Sequence, residues 1–470
     1  MDRRTLLSLG AHALLARALI ECKRVEAGLD APGTRQDSGT AHADLLVLGA
    51  GVAGLTAARR LAKSGAKVVV LEGRNRVGGR VWTDRSWTGT PIDLGASWIH
   101  GVTRNPIARL SRGLGVRTLP TDYNSSTIFD TDGRRLTAAE NASNAKRMKR
   151  LRRALESEQE RRVAAREPDI SVAEAIGVVG AYDGLSASEC RQLDRSINTS
   201  IEHEYAADVS SLSLLYYDED LSLPGGDVIL PDGFDVVVNA LAEGLDIRLG
   251  HFVERVSTTP IGVTVDTDHG VFRADRALVT LPLGVLKSGA VTFTPGLPAP
   301  KASAIARLGS SVLNKVCLRF ANAFWSADET QLLGYVAPRR GQWAEDLNIY
   351  EYTRHRVLVL FNAGTFGTEI ESMSNAAVVS SAMIALRAMY GPATPDPEAW
   401  LISRWGSDPF ARGSYAHVAL GSTGADFEAL AEPTSDRLFF AGEATHRKYR
   451  GTVHGAYMSG AREANRILAR

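Results

Sequence analysis

Cysteine is scarce in this chain. Cys22, Cys190 and Cys317 are far apart, odd in number and without metal-ligand spacing, which argues against a disulfide framework and against a structural zinc. Net charge is nearly absent, at +1, so no global field draws the protein to nucleic acid or to a membrane, and any charge preference is local. Long apolar runs are missing as well. Outside an interrupted stretch near the N-terminus, none approaches the roughly 20 residues that a membrane span requires. Lysine and arginine vanish altogether between Ser196 and Leu230, a local absence that bears on ligand charge. What is present is a chain of 470 residues with 44% apolar content, enough for a substantial core in about two or three domains.

The first residues do not read as fold. Arg3 and Arg4 precede an apolar run that extends to Ile20, a pattern resembling a twin-arginine export signal, the bacterial route for proteins already folded around a cofactor. His12 and Arg17 interrupt that run, and Ala16-Arg17-Ala18 only comes near a small-x-small cleavage site. Two readings stand: a periplasmic or secreted protein, or a cytoplasmic one with an N-terminal extension. Residues 28–42, rich in Gly, Ala, Ser, Thr and Asp, read as a linker either way, so residues 1–42 are set apart from the rest.

Organisation starts at residues 44–80. Residues 45–48 read as a buried parallel strand, which ends in Gly49, Gly51 and Gly54 at GxGxxG spacing. A helix rich in Ala and Leu comes next over 53–62, and a second apolar run, 68–71, ends in Glu72. This is a complete β-α-β unit with its acid in place, and it predicts a bound dinucleotide. Gly49 allows the tight turn, Gly51 lets the backbone approach a pyrophosphate, Gly54 lets helix and strand pack closely, and the helix N-terminus offers N–H groups to phosphate oxygens. Glu72 would accept hydrogen bonds from an adenosine ribose and favour a 2′-hydroxyl over a 2′-phosphate. Arg74, Gly78, Gly79 and Arg80 come directly after as RxxxGGR.

Further along, residues 91–101, PIDLGASWIHG, are too rich in Gly and aromatic character for an ordinary connection. Residues 137–166 have a helical pattern in which Lys146, Arg147, Lys149, Arg150, Arg152 and Arg153 precede Glu156, Glu158, Glu160, Arg161 and Arg162. Acid and base pairs at i, i+4 mark a solvated helix face rather than a nucleic-acid contact. The stretch free of Lys and Arg behaves differently. It accumulates Glu202, Glu204, Asp208, Asp218, Glu219, Asp220 and Asp227 together with Tyr205, Tyr216 and Tyr217. That composition suits a cationic ligand, since a carboxylate about 4 Å from an ammonium is worth a few kcal/mol at intermediate dielectric; an acidic surface loop is the competing reading. Residues 228–256 predict a turn, a helix and a strand, with further strands at 263–265 and 277–280. Residues 313–320 predict a strand that puts Lys315 on one face with Cys317 and Arg319, and a buried lysine there needs a purpose. Strands at 358–361, 401–405 and 437–441 and helices at 375–390 and 452–468 complete the pattern. The glycine-rich start of the last helix offers free N–H groups to an anion or a ring carbonyl.

Taken together, GAGVAGL, RVGGR, DLGASWIHG, LNKV, DPFARGSY and LFFAGEATHRKYRGTVHGAYMSG, in this order and spacing, resemble the FAD-dependent amine oxidases. Within them the likeness is to polyamine oxidases and to the catalytic domain of lysine-specific histone demethylases, and it runs from Ala43 to the end. The resemblance implies an α/β (mixed α+β) fold. A Rossmann-like FAD-binding domain is assembled from residues 43–104, 225–290 and 400–470, and a substrate-binding domain of mixed β-sheet plus helices is inserted as residues 105–224 and 291–399. It implies cofactor contacts from Gly49, Gly51, Gly54, Glu72, Arg74, Gly79 and Arg80. Gly95, Ala96, Ser97 and Trp98 lie against the flavin ring, the Val253 backbone meets the adenine, and Trp405, Gly442, Glu443, Thr452 and Val453 complete the set. Lys315 matches a lysine that holds a water beside flavin N5, and His100 faces the substrate. Tyr415 and Tyr449 match an aromatic pair that flanks the amine. Ser414 stands where monoamine oxidases tether the flavin through cysteine, so the FAD is expected to be noncovalent. The chain also lacks the long helical insertion and the extra N-terminal module of histone demethylases, which disfavours a chromatin role.

The activity so implied is hydride transfer from the α-carbon of a neutral amine to flavin N5, imine hydrolysis to an aldehyde plus an amine, and reduction of O2 to H2O2. The implied partners are a small cationic amine of the spermine or spermidine class and O2, with no metal, nucleic acid or membrane span. Which amine is taken, which C–N bond is cut and the oligomeric state stay open. Three alternatives compete with this reading. An L-amino-acid oxidase would place an arginine at the pocket, which the stretch from Ser196 to Leu230 speaks against. A carbon–carbon desaturase would have less use for Lys315 and the tyrosine pair. A flavin-bound polyamine-binding protein without turnover is the reading from outside enzymology.

Overall fold

The computed structural model describes residues 42–470 apart from residue 329. The paired arginines, the apolar run behind them and Cys22 lie outside the described residues. An eight-stranded sheet organises the cofactor end. Its centre is the strand Ala43–Leu48, paired in parallel with Val68–Leu71 on one side and with Gly270–Val279 on the other. Both neighbours bury it, which is why its sequence is a continuous apolar run and not an alternating one. Asp246–Arg248 extends the sheet beyond Val68–Leu71, and Leu438–Phe440 from the last cofactor block pairs in parallel with Gly270–Val279.

The helix Val52–Lys63 covers this sheet and is itself covered by the C-terminal helix Val453–Leu468. The two helices touch at backbone distance, since a Cβ on Gly460 would stand 2.1 Å from the Ala53 carbonyl oxygen. Leu55 and Leu61 are fully buried in the contact, each contributing about 1.5–3 kcal/mol. The two ends of the folded chain are thereby joined at the cofactor turn.

A six-stranded sheet carries the other half, in the order Ala399–Ile402, Leu313–Arg319, Val357–Ala363, Glu345–Asn348, Leu332–Tyr335, Ser126–Phe129. The helix Asn375–Tyr390 packs on it through Val378, Ala382 and Leu386. The first sheet takes in Thr292–Thr294, past the expected boundary at 290, and the second keeps Ala399–Ile402, which straddles the expected boundary at 400. A small sheet of Trp98–Ile99, Asp227–Ile229 and Leu119–Thr121 stitches the halves together.

The charged helix is observed at Ala138–Ala165, opened by a capping box of Thr137 and Glu140. Its face is solvated at Lys146, Arg150, Glu160 and Arg161, while Glu158 is buried under Arg161 and Arg162, and Met148, Leu151 and Leu155 pack inward. Among the described residues no helix is long and apolar enough to cross a membrane, and no cluster of His, Cys, Asp and Glu has metal-binding geometry.

Candidate active site

A cavity of about 1450 Å³ starts at the Gly49–Gly51 turn, runs between the sheets and ends against the helix Ala138–Ala165. All the residues that the family resemblance assigns to cofactor or amine line it, except Gly54 and Tyr449. Gly54 works from behind the wall. A Cβ there would meet the Gly49 carbonyl oxygen at 2.0 Å, and Gly49 itself has φ +111, so the tight turn depends on both lacking side chains. The Cβ direction of Gly51 is open, which leaves room for a phosphate beside the helix N-terminus.

Glu72 is buried at the end of its strand, where its carboxylate accepts from the Ala50 N–H at 2.7 Å and the Arg74 N–H at 2.9 Å. Arg74 is held by Asp408 at 2.8 Å and lies over the Phe410 ring, and both partners come from DPFARGSY. Arg80 donates to Glu443 at 2.9 Å and to the Ser414 carbonyl at 2.8 Å, while the other Glu443 oxygen accepts from the Gly451 N–H. The blocks read separately in the sequence are thus one hydrogen-bonded frame.

Beyond this frame the wall becomes aromatic and carries one buried ammonium. Lys315 Nζ donates to the carbonyls of Asp93 at 2.8 Å and Gly95 at 2.6 Å and to Ser97 Oγ, which answers why a strand facing the core carries a lysine. Burial lowers its pKa to about 8, against the opposing charge of Asp93. Asp93 is in turn raised to about 6 by burial, despite hydrogen bonds from Thr83 and the Phe234 N–H. The Trp405 indole N–H donates to the Leu94 carbonyl at 3.2 Å, so Lys315 and Trp405 together pin residues 93–97. The Trp98 and Phe361 rings lie 5.9 and 5.8 Å from Lys315 Nζ.

Tyr415 stands in this wall, its hydroxyl donating to the His203 carbonyl. Tyr449 does not face it, because its ring packs on His446 and His454 at 5.2 and 5.1 Å. The aromatic pair expected from Tyr415 and Tyr449 is therefore not assembled, and Thr452 and His454 line the cavity from that segment instead. Tyr449 ends the 3-10 turn Arg447–Tyr449 just before the helix, and its ring is taken up there by the two histidines.

His100 Nδ1 lies 2.7 Å from Asp227, which also accepts from the Gly101 N–H and the Tyr123 hydroxyl. Burial works against the imidazolium, but the Asp227 hydrogen bond and charge, with help from Glu204, outweigh it and raise the pKa. Asp227 falls to about 2, because its hydrogen bonds and the His100 charge overcome the cost of burial.

The acidic stretch divides in two. Glu204, Tyr205, Asp220 and Asp227 line the cavity. Glu202 is buried on Arg340, Asp208 holds Thr365, Glu219 pairs with Arg447, and Tyr216 packs in a core, all structural. Tyr123, His203, Glu345 and Phe361 also face the cavity, and sequence reasoning misses them. They come from unrelated segments with no local pattern: Glu345 and Phe361 are register partners on paired strands, His203 opens a short helix after a π-helical turn, and Tyr123 lies in the turn after Leu119–Thr121.

A glycine turn with an open approach, a buried acid beyond it and a long cavity ending in rings and charges define a dinucleotide-dependent oxidoreductase. A family model of flavin containing amine oxidoreductases matches residues 52–468. The chain is 37% identical over 444 residues to polyamine oxidase 2 of Arabidopsis thaliana, covering 90% of this chain and 87% of that protein. It is 38% identical over 451 residues to lysine-specific histone demethylase 1 homolog 2 of Oryza sativa subsp. japonica, spanning 91% of this chain and 57% of that protein. A solved structure of wild-type putrescine oxidase bound to putrescine shares the fold, with a TM-score of 0.75 at 22% identity over 92% of this chain and 100% of that one. The chain belongs to the flavin-containing amine oxidoreductases. Its cofactor is FAD, and the open Gly51, the buried Glu72 and the size of the cavity fit that group.

Proposed function

We propose that the protein is an FAD-dependent oxidase of polyamines or related amines. The observation that carries this reading is the placement of Glu204, Asp220 and Asp227, with Tyr415, in the same cavity that begins at the dinucleotide turn. Glu204, which has no cation of its own among the described residues, draws a protonated amine in, and the buried aromatic wall beyond favours its neutral form, because desolvation lowers an amine pKa. When bound, FAD supplies the acceptor for a hydride from the amine α-carbon and passes the electrons to O2, giving H2O2 and an iminium that hydrolyses to an aldehyde and an amine. The chain's own residues bind, orient and exclude water. Lys315 fixes the segment 93–97 and offers a cation deep in the wall, and His100 with Asp227 forms a charged pair on the same cavity.

Ser414 supports noncovalent attachment. Its hydroxyl accepts from the Leu313 N–H and donates to the Leu313 carbonyl, so it is spent on backbone. An amino-acid oxidase reading needs an arginine beside the aromatic wall, but Arg450, which reaches it, is held by Asp220 at 2.7 Å and by the Tyr217 carbonyl, while Arg152 and Arg153 belong to the exposed helix at the other end of the cavity. Export through the paired arginines is part of the proposal, and fractionation of cells expressing the full chain tests it. The test of function is a panel of diamines, polyamines and amino acids assayed for H2O2 release. Turnover of amines and not of amino acids is the expected result, and H2O2 from amino acids alone would overturn the reading.

A further inference from the structure

The cavity wall changes sign along its length. Asp227 is spent on His100, the Gly101 N–H and Tyr123, Asp220 on Arg450, and Glu345 faces His203 at 3.6 Å. Among the described residues Glu204 alone of these wall carboxylates has no cation within ion-pair distance. It lines the cavity together with His100 and Tyr415 of the aromatic end and with Arg152 of the helix Ala138–Ala165, and its charge is felt by all three. That helix contributes Lys149, Arg152 and Arg153 to the same cavity, all exposed, with Glu156 as its one acid there. Among the described residues none of the three cations has a carboxylate within ion-pair distance.

The backbone that presents Glu204 is irregular. Asn198–Glu202 is a π-helical turn, whose extra residue re-aims the side chains after it, and Ala206 closes the segment with φ +52. The Ser200 carbonyl in that turn accepts from Arg152 at 3.5 Å, so the acid and the cationic rim are held in one piece of structure. Strained backbone retained in a cavity wall points to a positional demand.

We propose that this reversal of charge limits how many positive charges the substrate carries. Glu204 takes one ammonium beyond the reacting amine, and Lys149, Arg152 and Arg153 repel any third. Preferred substrates are then diamines, or amines with an uncharged far end, over tetraamines and basic peptides. The inference rests on the amine-oxidase reading above and narrows it. Coulombic repulsion at an exposed rim acts on encounter and is relieved by salt, whose screening length is about 8 Å at physiological strength.

The experiment compares kcat/KM for H2O2 release from putrescine and from spermine by the FAD-loaded protein at low and high salt. At low salt putrescine is preferred, and added salt raises the spermine-to-putrescine ratio. The double variant Lys149→Gln with Arg153→Gln raises that ratio about ten-fold at low salt and flattens its salt dependence. Glu204→Gln raises KM for putrescine about ten-fold with a smaller change in kcat. A wild-type preference for spermine at low salt, or a ratio that neither salt nor the double variant moves, overturns the inference while leaving amine oxidation standing. Absence of turnover with either amine removes the parent reading itself.

Discussion

The two ends of the cavity are built by different means. At the cofactor end the glycine turn and its acid come from one contiguous stretch, whose backbone groups are exposed by glycine and whose Glu72 is tied to the neighbouring N–H groups, with Asp408 and Glu443 bracing its arginines from afar. At the amine end Lys315, Tyr415, His100 and Glu204 come from four separate segments, and the first three are each held by a partner far off in sequence. The grip on the cofactor therefore starts from local backbone, whereas amine recognition is wholly a product of tertiary assembly. Damage at the first end should empty the protein of flavin. Damage at the second should leave it yellow but slower or less selective.

The largest effect tests the first half of that contrast. Gly54→Val drives a side chain into the Gly49 carbonyl, and neither backbone can yield, so the flavin-to-protein absorbance ratio of the purified variant should fall below about a tenth of wild type. Retained flavin would mean the turn is not the grip. Glu72→Ala comes next. It leaves the Ala50 and Arg74 N–H groups without their acceptor, a cost of about 1–3 kcal/mol for an unsatisfied buried group, and the FAD dissociation constant should rise about ten-fold or more by ultrafiltration.

Lys315→Met moves the test to the other end. It should keep the flavin and slow reoxidation by O2 about ten-fold or more relative to reduction by amine, measured as separate half-reactions in stopped flow. Equal loss of both would break the role given to this ammonium. Asp227→Asn sharpens the contrast through pH. Because Asp227 raises the His100 pKa against burial, the variant should shift the corresponding limb of the kcat/KM profile to lower pH. The same pair sets the sign for stability. His100 contributes below its unfolded pKa and loses that contribution as pH rises through the raised folded value. Asp227 contributes above 3.8 and loses it as pH falls toward about 2. The smallest effect is a control. Thr137→Ala removes the cap of the helix Ala138–Ala165 and should cost about 1 kcal/mol in thermal or denaturant unfolding without changing kcat.

The same contrast explains what was legible in the sequence. The cofactor sheet could be read because buried parallel strands are short unbroken apolar runs and because glycine spacing reports a backbone requirement directly. At 290 and 400 the expected bounds meet edge strands: Thr292–Thr294 owes its existence to pairing, and Ala399–Ile402 starts two residues before the strand expected at 401–405. The acidic stretch signalled a cationic ligand, yet composition could not separate Glu204, which faces the cavity, from Glu202, which is buried on Arg340. The π-helical turn that ends at Glu202 decides this, and no residue spacing announces it. Tyr449 sits in a strong block, but its ring packs on His446 and His454, contacts that a block match does not report. Glu345 and Phe361 were invisible because strand register alone delivers them.

The central claim is that one cavity joins a tightly held FAD to a site for a protonated amine. Anaerobic titration of the purified protein with putrescine, monitored by the visible flavin absorbance, tests it most directly. Bleaching to the reduced spectrum, restored by admitting air with release of H2O2, is the predicted result. A flavin that stays oxidised with putrescine and with every longer or acylated amine would contradict it.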